Sequence, residues 1–226
     1  MDNQFWLGLL EIIGVNIVLS GDNAVVIAMA ARSLAPHQRR AAIILGSGAA
    51  IVLRVVLTTI AARVLTFPYL KMAGALLLLW IGVQLLVPGK QNNGPAGRSS
   101  DHLMAAVRII LVADFVMSLD NVIAVAGAAH GNLVLLILGL ALSIPLIIFG
   151  STAILKLMDR FPIVIKLGAG LLGYVAGEMF IGEPVLQAYM QSPIPGMTIP
   201  WAGAFLVLGL GAWISNRSNS KTPDPM

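Results

Sequence analysis

The chain has 226 residues, of which 58% are hydrophobic and only 11% charged, whereas a soluble domain carries about 25% charged residues. This composition excludes an ordinary soluble protein. The net charge of +4 does not indicate a nucleic-acid partner, because the basic residues stand singly or in pairs at the ends of apolar segments. Cysteine is absent, which excludes disulfides and thiolate metal sites and leaves oxygen or imidazole ligands for any metal.

Seven apolar segments are long enough to cross a bilayer, which takes about twenty residues. They are continuous rather than alternating, so they predict helices and not strands. The N-terminus lacks the positive region of a cleaved signal peptide, so we expect the first helix to stay in the mature protein. In chain order the predicted spans are Phe5–Ala31, Ala41–Phe67, Tyr69–Val87, Leu103–Ala129, Leu133–Met158, Ile163–Ile181 and Ile199–Ile214.

These spans predict an all-α polytopic membrane helix bundle. Residues 1–88 hold the first three spans, and residues 89–102 form a flexible cytoplasmic linker rich in Gly, Asn, Pro and Ser. Residues 103–182 hold spans four to six. A proline-rich loop and the seventh span follow in residues 183–216, and residues 217–226 are a polar tail that we expect to be disordered.

The basic residues predict the orientation, because cytoplasmic loops carry an excess of Lys and Arg. With the N-terminus outside and the C-terminus inside, the outer side holds only Arg63 and Lys71, and Arg54 lies within the second span. The inner side then holds Arg32, Arg39, Arg40, Lys90, Arg98, Arg108, Lys156, Arg160, Lys166, Arg217 and Lys221.

A polar cluster occurs twice, in the first span and in the fourth, with the same Ser-x-Asp-Asn order. Because three spans make up each copy, the second copy would be inverted relative to the first. Lys71 and Gly82 are also spaced like Lys166 and Gly177, a weaker match. We therefore predict an inverted 3+3 repeat plus one extra helix. The repeated polar residues are Asn16, Ser20, Asp22 and Asn23 in the first copy and Asp114, Ser118, Asp120 and Asn121 in the second.

These clusters are candidates for an ion site. A carboxylate at membrane depth costs roughly 2.5–3.5 kcal/mol, and repeated polar clusters there are typical of an ion or proton path. Together the two copies would supply three carboxylates, three carboxamides and two hydroxyls. Such an oxygen set suits Mn²⁺, Ca²⁺ or Mg²⁺ and suits Zn²⁺ or Cu⁺ poorly. Interhelical hydrogen bonding is the competing interpretation, above all for the two serines.

Helix geometry leaves the direction of the aspartates open. Positions i, i+4 and i+7 share a face, so Asp114, Ser118 and Asn121 line up. Asp22 and Asp120 would lie about 100° from the Asn that follows each on a regular helix. Either they face the other repeat, or local unwinding at Ser20-Gly21 and Ser118-Leu119 turns them into one cavity, as in broken transporter helices.

Three further features have two interpretations each. Glu178 is a candidate proton carrier or gate, or else a snorkelling glutamate or one paired with Arg54. Arg54 itself either neutralises a carboxylate when no cation is bound or is a structural counter-ion. The glycines Gly170, Gly173 and Gly177 favour close helix packing over a functional role.

The stretches 15–28 and 113–124, which carry the Asp-Asn motifs, resemble the signature helices of the TerC family, in particular its YjbE-like branch. The likeness covers nearly the whole chain and includes the seven-helix pattern. It implies an integral membrane protein of the bacterial plasma membrane, associated with Mn²⁺ efflux and in some members with tellurium-ion resistance. One departure is that many relatives carry an acid where this chain has Asn16, so its site would hold one negative charge fewer.

We therefore expect a transporter, not an enzyme, that exports a divalent cation by proton antiport, with Mn²⁺ (or Ca²⁺) as the cargo and no permanently bound cofactor. Asp22, Asp114 and Asp120 would bind metal when ionised and carry protons when empty. The alternatives are a non-transporting scaffold for metal loading or tellurium-ion resistance, an exporter of an organic solute, and an intramembrane aspartyl protease. The sequence leaves the oligomeric state open.

Overall fold

The computed structural model describes residues 3–18, 21–64, 67–87, 99–128, 132–187 and 193–219. Within these ranges all regular structure is helical, as the sequence predicts. The helices are α1 (Asn3–Val18), α2 (Gly21–Arg32), α3 (Pro36–Val64), α4 (Leu70–Leu86), α5 (Ser99–Ala128), α6 (Leu133–Arg160), α7 (Ile163–Ile181), α8 (Pro184–Gln187) and α9 (Pro193–Asn219).

Among the described residues, five helices are long and apolar enough to cross a membrane. They correspond to the predicted second, fourth, fifth, sixth and seventh spans. The predicted third span coincides with the shorter apolar stretch Leu70–Leu86. The predicted first span, Phe5–Ala31, is divided between α1 and α2, and only Trp6–Val15 within it is a comparable apolar stretch. The multi-pass bundle is therefore confirmed, while the count of seven, the repeat and the orientation stay predictions.

The two segments that carry the Asp-Asn motifs differ in their continuity. In the first copy the structure gives two helices, with α1 ending at Val18 and α2 beginning at Gly21, and residues 19 and 20 lie outside the described part. In the second copy α5 runs without interruption through Ser118, Leu119 and Asn121. The unwinding considered at Ser118-Leu119 is therefore wrong for this structure. Leucine favours a helix interior, whereas glycine at the corresponding position of the first copy does not.

Two similar helix contacts flank the polar residues. In one, α3 packs on α5, and a Cβ added at Gly46 would lie 2.7 Å from Cδ1 of Ile110. In the other, α1 and α2 pack on α6, and a Cβ added at Gly139 would lie 2.4 Å from Cγ2 of Ile12. Both isoleucines are fully buried. The two glycines end the same Ile-Leu-Gly sequence, which adds a match to those of the Asp-Asn motifs.

The helix α9 packs on α7 and also contacts α4. A Cβ added at Gly173 would lie 2.4 Å from the carbonyl oxygen of Gly203, and one added at Gly177 would lie 2.5 Å from Cα of Pro200. These contacts bring two helix backbones together and confirm the packing role predicted for Gly173 and Gly177. The bounds of α9 are wider than the predicted seventh span and extend into the predicted tail as far as Asn219.

Candidate ion-binding site

A buried ionic network joins α3 to α5 within the bundle. The Nη2 of Arg54 donates to Oδ1 of Asp114 at 2.6 Å, and its Nε donates to Oγ of Ser118 at 3.1 Å. The Ser118 hydroxyl in turn donates to Oδ2 of Asp114 at 3.3 Å. Arg54 is 2% exposed, Asp114 7% and Ser118 0%. The helical alignment predicted for Asp114 and Ser118 thus places both side chains against one guanidinium.

The network lies in a buried part of the bundle. The neighbouring residues Val116, Met117 and Leu119 of α5 are also buried, so this part of the helix lies inside the bundle on all sides. A single charge in such a place costs several kcal/mol, and the cost is offset only when the charge is paired and hydrogen-bonded. The network meets that condition, because the guanidinium reaches the carboxylate and the hydroxyl together. Several acidic residues were possible partners of Arg54 from the sequence, and in the structure Arg54 forms its ion pair with Asp114.

Asp22 lies at the start of α2, within electrostatic reach of this network. Its Oδ1 accepts the backbone N–H of Asn23 at 2.8 Å, and its place in the first turn puts the carboxylate at the positive end of the helix dipole. The side chain is half-buried, and the charges of Arg54 and Asp114 both act on it. Since α2 also packs on α5, Asp22 and Asp114 lie on two helices in contact. The joint site predicted for the two motifs stays a prediction.

The remaining predicted site residues divide into described and undescribed ones. Asn23 is 3% exposed at the start of α2, Asn121 is half-buried on α5, and Glu178 is exposed near the end of α7. Ser20 lies outside the described residues, as do the side chains of Asn16 and Asp120. Within the described part, no three His, Asp or Glu side chains are close enough to hold a metal. The three-carboxylate site depends on Asp120 and stays a prediction.

Sequence reasoning missed one buried acid, Glu183, which is 1% exposed. Its Oε1 accepts the backbone N–H of Tyr69 at 3.1 Å, whereas Oε2 has no hydrogen-bond partner among the described residues. Tyr69 precedes α4 in a left-handed conformation, with φ of 63°. The signal in the sequence was weak: a single glutamate between Gly182 and Pro184, just beyond the end of a predicted span. The contact ties the start of α4 to the end of α7.

The family model described as "Integral membrane protein TerC family" matches residues 1–221. The chain belongs to the TerC family. It is therefore a multi-pass integral membrane protein, in agreement with its apolar helices. The resemblance stated from the Asp-Asn motifs is confirmed.

The chain is also similar to proteins of two bacteria. The chain is 42% identical to the uncharacterized membrane protein YjbE of Bacillus subtilis, over 92% of its own length and 95% of the relative. It is 27% identical to the UPF0053 protein YegH of Escherichia coli and 26% identical to the UPF0053 inner membrane protein YoaE of the same species. These last two matches cover 74% of the chain and only 35% and 36% of the relatives. No solved structure matches the chain.

Proposed function

We propose that this TerC-family protein is a membrane transporter that exports a divalent metal cation, with Mn²⁺ as the first candidate cargo, in exchange for protons. The observation that carries the proposal is the buried network of Arg54, Asp114 and Ser118, with Asp22 within electrostatic reach. Ionisable groups inside a membrane bundle are costly, and they mark ion paths and proton relays. Helix packing alone does not require them.

Charge supports a divalent cargo. Asp22, Asp114 and Asp120 carry three negative charges, and Arg54 carries one positive charge. Two net negative charges therefore remain, which one divalent cation would neutralise. Carboxylate, carboxamide and hydroxyl oxygens are ligands suited to Mn²⁺, Mg²⁺ and Ca²⁺. In the proposed cycle Arg54 is the internal cation that neutralises Asp114 while the site is empty.

Repeated packing supports alternating access by two inverted halves. Ile12 precedes Asn16 by one helical turn and contacts Gly139, whereas Ile110 precedes Asp114 by one turn and contacts Gly46. The isoleucine–glycine contact thus occurs twice, each time between the segment of one Asp-Asn motif and a helix of the other half. Transporters built from inverted repeats bind their cargo where the halves meet and rock around that site.

The two contacts differ in one respect that bears on the role of Arg54. Arg54 lies two turns beyond Gly46, and the register position equivalent to it, two turns beyond Gly139, is Ile147. Asn16 in turn occupies the position equivalent to Asp114. The α3–α5 contact thus has an arginine and an aspartate where the α6–α1 contact has an isoleucine and an asparagine. Because both charges are missing together, the comparison supports a role for Arg54 as the dedicated counter-ion of Asp114.

Energetics support coupling to protons. Moving a divalent cation outward against an inside-negative potential of 100 mV costs roughly 4.6 kcal/mol, equivalent to a concentration ratio of about 2,000. Inward proton flow along the same field supplies free energy of the required sign. The proposed location is the bacterial plasma membrane with the N-terminus outside, which the positive-inside pattern and the inner-membrane relative support.

The test is Mn²⁺ uptake into inside-out proteoliposomes, with and without an imposed proton gradient. Wild-type protein should give gradient-dependent flux, and the Asp22→Asn/Asp120→Asn variant should lose it. Asp101→Asn is the matched control, because Asp101 is an exposed acid at the start of α5. Wild-type rates in the double variant would show that the site is wrong. Folded protein that moves neither Mn²⁺, Ca²⁺ nor Mg²⁺ would instead favour the scaffold.

A further inference from the structure

A groove of about 980 Å³ runs along the junction of α7 and α9, outside the ion-binding site proposed above. Its walls are mostly apolar and include Leu167, Leu171 and Phe205. Tyr174 and Trp201 meet edge to face in the groove, with ring centroids 5.3 Å apart. The two helices run antiparallel and approach closely through glycine, which leaves a furrow beside their contact. A furrow of this kind in a membrane protein suits an acyl chain.

One end of the groove is basic. Arg32, at the end of α2, and Lys166, in the first turns of α7, both line it, next to Ser215 and Asn216 of α9. Neither cation forms a salt bridge within the described part of the chain. The opposite end, towards Trp201, is aromatic and apolar. The groove therefore has the polarity of a phospholipid: a cationic, hydrogen-bonding end and a long apolar end.

The basic end lies on the side of the bundle with most of the positive charge. Arg39, at the start of α3, bridges to Asp159 at the end of α6 at 2.7 Å, so the α2–α3 and α6–α7 junctions are on one side. This is the predicted cytoplasmic side. Anionic lipids of the cytoplasmic leaflet attract nearby Lys and Arg with about 1 kcal/mol each. The complementary occupant of this end is therefore an anion that is already part of the leaflet.

The length of the groove fits one leaflet. At a rise of 1.5 Å per residue, the stretch of α7 from Lys166 to Tyr174 is roughly 12 Å long. The hydrocarbon of one leaflet is about 15 Å deep, half of the bilayer core. An acyl chain that descends from a headgroup at Lys166 would therefore reach the aromatic end without leaving its leaflet.

We propose that this groove binds one anionic phospholipid, with the phosphate between Arg32 and Lys166 and an acyl chain along α7 and α9. The lipid would join the end of α2 to α7 and α9. The helices α2 and α7 already meet, because a Cβ added at Gly168 of α7 would lie 2.7 Å from Val25 of α2. The bound lipid would thus stabilise the packing of the helix that begins next to Asp22.

Native mass spectrometry of the purified protein with phosphatidylglycerol or phosphatidylcholine of identical chains tests the proposal. Two cations at about 1 kcal/mol each correspond to a preference for phosphatidylglycerol of roughly 30-fold. The Arg32→Gln/Lys166→Gln variant should lose this preference. The Arg40→Gln/Lys156→Gln variant removes two exposed cations elsewhere on the predicted inner side and should keep it.

A second variant tests the apolar part. Ala212→Leu adds bulk to a groove residue and should weaken both lipids while the ratio between them stays high. Equal binding of the two lipids by the wild type would overturn the proposal. So would a preference that survives Arg32→Gln/Lys166→Gln, or binding of inorganic phosphate that displaces the lipid at similar concentration, since the groove would then be only an anion site.

Discussion

Removing either member of the Arg54–Asp114 pair should destabilise the protein far more than removing both. The pair is 2.6 Å apart, and its side chains are 2% and 8% exposed. Breaking a buried pair by removing one partner costs about 3–5 kcal/mol, whereas replacing both partners is often neutral. The chain itself indicates suitable replacements. Arg54→Ile and Asp114→Asn give the α3–α5 contact the residue types that Ile147 and Asn16 provide at the equivalent positions of the α6–α1 contact.

The two single variants should be unequal. A lone buried carboxyl can take up a proton, whereas a guanidinium keeps its charge. Asp114→Asn should therefore cost more than Arg54→Ile, about 3–5 kcal/mol against about 2–3 kcal/mol. The double variant should return to within about 2 kcal/mol of wild type, which gives a coupling energy of at least about 3 kcal/mol.

A second pair provides the matched control. Arg39 and Asp159 are 2.7 Å apart, but their side chains are 25% and 45% exposed. Because water screens exposed pairs, their coupling should stay below about 1 kcal/mol. Unfolding by sodium dodecyl sulfate in mixed micelles, followed by circular dichroism, gives the free energies for both cycles. A coupling for Arg54–Asp114 no larger than that for Arg39–Asp159 would refute the reasoning from burial.

The same unfolding assay tests three further sets of substitutions. Gly173→Ala places a Cβ 2.4 Å from a backbone oxygen of α9 and should lower the free energy of unfolding by about 1–3 kcal/mol. Gly209→Ala meets nothing within 4 Å and should raise it by up to about 1 kcal/mol. Equal effects of the two substitutions would contradict the close contact. Gly46→Ala and Gly139→Ala each meet an isoleucine side chain, so they should lower the free energy of unfolding by similar amounts, and by less than Gly173→Ala does. If one of the two were tolerated and the other strongly destabilising, the result would count against the repeat. Tyr69→Gly removes a left-handed non-glycine residue and should stabilise by up to about 1 kcal/mol, and a clear loss would show that the tyrosine side chain packs more than its exposure indicates.

The positions of the bundle's helices were predictable because they depend on local sequence. A run of about twenty apolar residues has few ways to satisfy its backbone in a membrane other than a helix. The periodicity of that helix also places Asp114 and Ser118 on one face, whatever packs against it. Unwinding was open at both Ser20-Gly21 and Ser118-Leu119 from the sequence; the structure starts α2 at Gly21 and continues α5 through Leu119, in keeping with the lower helix propensity of glycine.

Tertiary packing alone decided which charges meet. Arg54 and Asp114 are separated by 60 positions, and the sequence offered Arg54 more than one acidic partner. The pairing depends on the register of α3 on α5, in which Gly46 also lies against Ile110. Glu183 and Tyr69, 114 positions apart, were missed for the same reason. Helix periodicity is a property of neighbouring residues, whereas the pairing of buried charges depends on how distant helices pack, and composition does not encode that directly.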